Sequence, residues 1–119
     1  MFKPLLFDVL RIDSPDTYRL PANLSQPQDA TQYYLSQLES LLQQHHSTIA
    51  AMIIEPVVQG AAGMIMQPPG YLVGVRQLTQ KHDVLLIADE VAVGFGRTGA
   101  MFACNHENIQ PDLMCLAKG

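Results

Sequence analysis

Lys118 stands in Pro111-Asp112-Leu113-Met114-Cys115-Leu116-Ala117-Lys118-Gly119, just after a short apolar run. Upstream, Val84-Leu85-Leu86-Ile87-Ala88 leads into Asp89-Glu90-Val91, and Ile49-Ala50-Ala51-Met52-Ile53-Ile54 leads into Glu55-Pro56. Each apolar run delivers a charged side chain at its end. A lysine amine can hold an aldehyde as an imine, be displaced by an amino substrate, and then move a proton as general base. A carboxylate set against a pyridine nitrogen keeps it protonated, so the ring can accept the electrons released when a C–H bond breaks. An amine and an acid at successive strand ends are what a pyridoxal phosphate enzyme requires. Taken singly, each residue has a plainer use: Asp89 as a loop-former or N-cap, Lys118 as a solvated charge, Glu55 before Pro56 as a strand cap.

Other candidates are weaker. Gly94, Gly96 and Gly99 lack the spacing of either glycine-rich nucleotide motif and read as permissive turn positions, with Arg97 between them a salt-bridge partner or an anion binder. The four histidines show no metal spacing, so no metal is expected. Cys104 and Cys115 are too isolated for a zinc or redox motif and read as two reduced core thiols.

The elements that must position these residues alternate between strand and helix, which indicates an α/β fold. Leu5 to Ile12 reads as a strand, and Asp13 to Gln28, with three prolines, as a connecting loop. Asp29 is placed as a helix N-cap, with Gln32 three residues on in a variant of the capping box. Tyr34, Leu35, Leu38, Leu41 and Leu42 then give the one-face spacing of a helix that ends near His45-His46-Ser47. A loop with a short hairpin is expected between Glu55 and Gly70. A second amphipathic helix follows, with Tyr71, Leu72, Val75 and Leu78 on its inner face, closing at Lys81-His82-Asp83. Val84 to Ala88 has no polar alternation, the mark of an interior parallel strand covered on both faces. Leu113 to Ala117 is the last strand. If the three charged strands are parallel neighbours, Glu55, Asp89 and Lys118 converge beyond their carboxyl ends, where open α/β sheets bind ligands.

Composition narrows the partners. A chain of 119 residues holds one domain at most. Its 48% hydrophobic content suits a globular interior, and a net charge of −4 without a basic cluster argues against nucleic acid or an anionic membrane surface as partner. No apolar run approaches a membrane span. Met1-Phe2-Lys3-Pro4 opens without a signal peptide, which suggests a cytoplasmic location.

Together the blocks Glu55-Pro56, Gly70-Tyr71-Leu72, Leu86-Ile87-Ala88-Asp89-Glu90-Val91, Gly94-Phe95-Gly96-Arg97-Thr98-Gly99, Pro111-Asp112 and Ala117-Lys118-Gly119 resemble class III pyridoxal-phosphate aminotransferases. The extra residue in Glu55-Pro56-Val57-Val58-Gln59-Gly60, with Phe102-Ala103-Cys104-Asn105-His106-Glu107-Asn108 and Met114-Cys115-Leu116, is similar to the branch that acts in biotin biosynthesis. Phe2 to Phe7 extends that likeness. The resemblance implies the aspartate-aminotransferase-like fold, with a mainly parallel sheet and flanking helices. It implies that Lys118 is the Schiff-base lysine, Asp89 the pyridinium partner and Val91 a residue packed on the cofactor ring, with Glu55 near the reacting groups and Arg97 on the substrate side. The implied reaction moves an amino group, usually from S-adenosylmethionine and in some members from lysine, onto 8-amino-7-oxononanoate to give 7,8-diaminononanoate. Another ω-aminotransferase of the class, of ornithine, acetylornithine or 4-aminobutyrate type, is the alternative. Val93, Ala62 and Ala100 depart from the class pattern without touching Asp89 or Lys118.

Family members are several times longer and work as homodimers. Residues 1–119 are therefore expected to be the central part of the cofactor-binding large domain, inactive alone. The N-terminal segment, the phosphate-binding segment, the stacking aromatic residue and the small domain would lie outside them. A rival from another class is a P-loop ATPase fragment, with Asp89-Glu90 as the acids that hold magnesium and position water. It would need a Gly-x-x-x-x-Gly-Lys-Ser/Thr loop, which this sequence lacks.

Overall fold

A computed structural model describes residues 8–22, 24, 26 and 29–119. Helix α1 (Ala30–His45) is followed by strand β1 (Ala51–Ile54), a hairpin of β2 (Val58–Gln59) and β3 (Ile65–Met66), helix α2 (Tyr71–Lys81), strand β4 (Leu85–Asp89) and strand β5 (Leu113–Cys115). Strands β1, β4 and β5 form one sheet with β4 in the centre, and both pairings are parallel. The register sets Ile54 beside Ala88 and Ala88 beside Met114. The described residues form an α/β unit with a parallel sheet and flanking helices, as the resemblance implies.

Both amphipathic helices lie where their periodicity puts them. Tyr34, Leu38 and Leu42 of α1 and Tyr71, Leu72 and Val75 of α2 are buried with Ile54, Leu86 and Ala88 of the sheet. Burying one such aliphatic side chain fully contributes roughly 1.5–3 kcal/mol, so this shared face is the main source of cohesion. The helices meet where α2 has no side chain: a methyl group built on Gly74 would fall 2.7 Å from Cδ2 and 3.0 Å from Cγ of Leu35.

Several expectations need correction. Residues 8–12 form no strand, and Asp8, Val9, Leu10 and Arg11 are exposed, while the rest of the expected Leu5–Ile12 strand and the Phe2–Phe7 stretch lie outside the described residues. An apolar run becomes a strand only where it pairs with an edge, and residues 8–12 pair with neither β1 nor β5, the two edge strands of the sheet. Asp29 occupies the N-cap position of α1, but its side chain makes no capping bond. Strand β4 is covered on one face only: Leu86 and Ala88 are buried, whereas Leu85 is 49% exposed. Ile53 and Leu113 are aligned with Ile87 and share that open face, at 61% and 52% exposed. Cys104 is a core thiol, but Cys115 is exposed.

Candidate active site

Glu55 directly follows β1, Asp89 is the last residue of β4, and Lys118 lies just beyond β5. Because the strands are parallel neighbours, all three fall at the carboxyl edge of one sheet. Asp89 is half-buried, and its Oδ1 accepts the Val91 N–H at 3.1 Å, which turns the chain back on itself and fixes the carboxylate. Its Oδ2 accepts no hydrogen bond among the described residues. Lys118 is exposed, makes no ion pair among the described residues, and has a left-handed backbone at φ 55°.

Glu55 is woven into the hairpin. Its Oε2 accepts the Gly60 N–H at 2.9 Å, and its carbonyl accepts the Gln67 side-chain amide at 2.7 Å. Gln67 Oε1 in turn accepts the Val57 N–H at 3.0 Å, holding Val57 in its left-handed conformation. The glutamate is therefore a fixed wall of the sheet edge.

Glu90 is the residue that sequence reasoning underrated. It is fully buried, and its two carboxylate oxygens accept the N–H groups of Ala103 and Cys104, each at 2.9 Å. Its own N–H donates to the Cys115 carbonyl at 3.0 Å, and its carbonyl accepts the Gly94 N–H at 2.9 Å. One glutamate thus ties β4 to β5, to the turn at 94–99 and to the 3-10 turn Ala103–Glu107. Burial, reinforced by the Glu90 carboxylate, pushes the Cys104 thiol up to about 12. The only signal in the sequence is the acid beside Asp89, and nothing local tells which amides it will meet.

Arg97 is exposed on the turn containing Gly96 and Gly99, whose φ angles of 88° and 95° confirm the turn role read for them. Among the described residues Arg97 joins no ion pair, and its place on this turn does not tie it to the three strand ends. Val91 is half-buried beside Asp89. Among the described residues no cluster of His, Cys, Asp and Glu could hold a metal ion. A concavity of about 880 Å³ lies elsewhere, between the 8–15 segment, α1 and β1, and contains neither Asp89 nor Lys118.

An amine and a carboxylate follow adjacent strands of this parallel sheet, and the class-III aminotransferase model matches residues 1–119. The chain belongs to the class-III aminotransferase family, whose members depend on pyridoxal phosphate. It is 52% identical over 119 residues to the adenosylmethionine-8-amino-7-oxononanoate aminotransferase of Geobacter sulfurreducens, covering 100% of this chain and 26% of that protein. The enzyme of the same name from Staphylococcus aureus is 48% identical over 118 residues, with 99% and 26% covered. Among solved structures, a PLP-bound amine transaminase from an uncultivated Pseudomonas species superposes with a TM-score of 0.82 at 44% identity, over 90% of this chain and 24% of that one. The ω-transaminase of Pseudomonas jessenii in complex with PMP gives 0.79 at 40% identity, over 88% and 23%. The chain spans about a quarter of the length of these relatives.

Proposed function

We propose that residues 1–119 are the central part of the cofactor-binding large domain of a longer aminotransferase, which moves an amino group from S-adenosylmethionine to 8-amino-7-oxononanoate and yields 7,8-diaminononanoate. The observation that carries this reading is that Lys118 and Asp89 follow adjacent parallel strands at one sheet edge in a chain 48–52% identical to relatives of that name. The residues present fit the cofactor in two respects: an amine without an ion pair among the described residues for its aldehyde, and a half-buried carboxylate, with one oxygen unbonded among them, for its ring nitrogen. When bound, pyridoxal phosphate supplies an electron-poor ring that lets a substrate Cα–H bond break.

Around it, this chain's own residues divide the work. Lys118 would hold the cofactor through its aldehyde and, once free, would take and return the proton at the substrate carbon. Asp89 would keep the ring nitrogen protonated. Val91 would pack on the ring, Glu55 would bound the space where the reacting groups meet, and Arg97 would lie on the substrate side. The partners are the small amino donor, the keto acceptor and a second copy of the longer chain, in the cytoplasm.

Borohydride reduction of the longer protein, followed by peptide mapping, is expected to place a phosphopyridoxyl group on Lys118; label on another lysine overturns the assignment. The isolated 119-residue chain is expected to hold the cofactor poorly and to be inactive. The second reading, another ω-aminotransferase of the class, is favoured by the solved ω-transaminases at about 40% identity. Turnover of 8-amino-7-oxononanoate against simple ketone acceptors separates the two.

A further inference from the structure

Phe95 and Lys118 are two non-glycine residues in the left-handed region, at φ 54° and 55°, a conformation that a bulky side chain rarely adopts. They meet through Gly119. A methyl group built on Gly119 would stand 3.3 Å from Cδ2 and Cε2 and 3.5 Å from Cγ of Phe95, so the ring lies against the main chain that follows Lys118. The ring also packs edge-to-face on Phe102, with centroids 5.8 Å apart. The turn that carries it is fixed at its base by the Gly94 N–H on the Glu90 carbonyl and closed by the Gly96 N–H on the Met101 carbonyl at 3.2 Å. Gly94 has no room for a side chain there, since an added methyl group would come within 2.8 Å of the Glu90 carbonyl oxygen. Phe95 is also 44% exposed, so burying apolar surface is not its main contribution. Disfavoured backbone persists only where its surroundings impose it, and it gathers at functional sites.

We propose that Phe95 is a positioning residue for Lys118: its ring, held by Glu90 through the 94–102 turn, presses on Gly119 and fixes the direction in which the lysine amine leaves the strand end. The inference rests on the reading of Lys118 as the cofactor lysine. A contiguous path then runs from the strand end bearing Asp89, through Glu90, Gly94 and Phe95, to Gly119 and Lys118. The acid and the amine are set relative to each other by one strand end and not by two independent loops.

The test uses the longer protein with its cofactor removed. Three quantities are read: the rate at which visible absorbance develops when pyridoxal phosphate is added, the pH midpoint of the bound cofactor's visible band, and the thermal midpoint of the cofactor-free protein. Phe95→Ala is expected to slow the absorbance roughly tenfold, within the hundredfold that a 1 Å misplacement can cost, and to move the pH midpoint while the thermal midpoint stays put. Phe95→Tyr, which keeps the ring, should restore both. Gly119→Ala, which pushes the same contact from the other side, should reproduce the defect, and less so in the Phe95→Ala background. Normal rate and pH midpoint in Phe95→Ala overturn the proposal, as does strict additivity of the two substitutions. If Phe95→Ala does not fold, the Gly119→Ala and Phe95→Tyr results decide alone. Absence of the band in the unsubstituted protein, or label on another lysine, overturns the cofactor reading itself and is seen before any variant is made.

Discussion

At the scale of single residues, the sheet edge is built by carboxylates that accept backbone amides. Asp89 takes one, Glu55 takes one, and Glu90 takes two while fully buried. The cost of removing such an acceptor is set by the donors left behind, since each buried orphan costs about 1–3 kcal/mol. Glu90→Ala in the longer protein is therefore expected to open the 103–107 turn by at least about 2 kcal/mol, close to a thirtyfold rise in amide exchange at Ala103 and Cys104. Glu90→Gln, which keeps one acceptor oxygen, should fall between. Hydrogen exchange read by mass spectrometry on peptides spanning these two residues checks it, and unchanged protection in Glu90→Ala would contradict the role given to the carboxylate.

At the scale of elements, two contacts set how the helices and strands meet. Gly74 is where α2 accepts Leu35 of α1. Alanine there gains up to about 1 kcal/mol of helix propensity but overpacks the contact by about 1–3 kcal/mol, so Gly74→Ala is expected to lower the thermal midpoint, and Leu35→Ala in the same chain to recover part of the loss. The second contact is Asp112, which receives both guanidinium nitrogens of Arg76, at 2.6 and 3.1 Å, and the Leu86 N–H at 2.7 Å. The Arg76 pairing, helped by the Leu86 N–H, holds this carboxyl below the usual aspartate range. A depressed folded value means that the unfolded chain takes up the proton first, so the stabilisation is present at neutral pH and lost as pH falls below about 4. Asp112→Asn should therefore lower urea midpoints near neutrality and flatten their decline in acid; a parallel decline in both proteins would exclude the pairing as its cause. These elements were legible in the sequence to different depths. Periodicity located both helices and the three sheet strands, and the charged residues that end those strands fall together at one sheet edge. The strand expected over Leu5–Ile12 failed over its described part because an apolar run becomes a strand only by pairing with a distant segment, which no local pattern reveals. Glu90, Gln67 and Glu107 escaped for a related reason: each meets backbone amides 10 to 37 positions away.

At the scale of the whole molecule, one face of the sheet is packed and the other is not. Ile53, Leu85 and Leu113 stand open together, more contiguous apolar surface than scattered exposed residues give. The isolated chain is expected to bind a hydrophobic dye and to self-associate, and Leu85→Lys with Leu113→Lys should relieve both. The same pair in the longer protein should have the opposite sign and destabilise it, because further structure would cover that face. Light scattering of the two forms checks the reversal, and relief in both would mean the face stays open throughout. One further consequence follows from Asp112. Its N–H donates to the Leu86 carbonyl while its carboxylate receives the Leu86 N–H, so β5 is locked to β4 one position before the strand begins. A slip of one residue would turn Met114 outward and carry Lys118 about 3.3 Å along the sheet. Asp112 is in that sense an indexing stop, and the place of the lysine along the sheet is set one position outside the strand that leads to it.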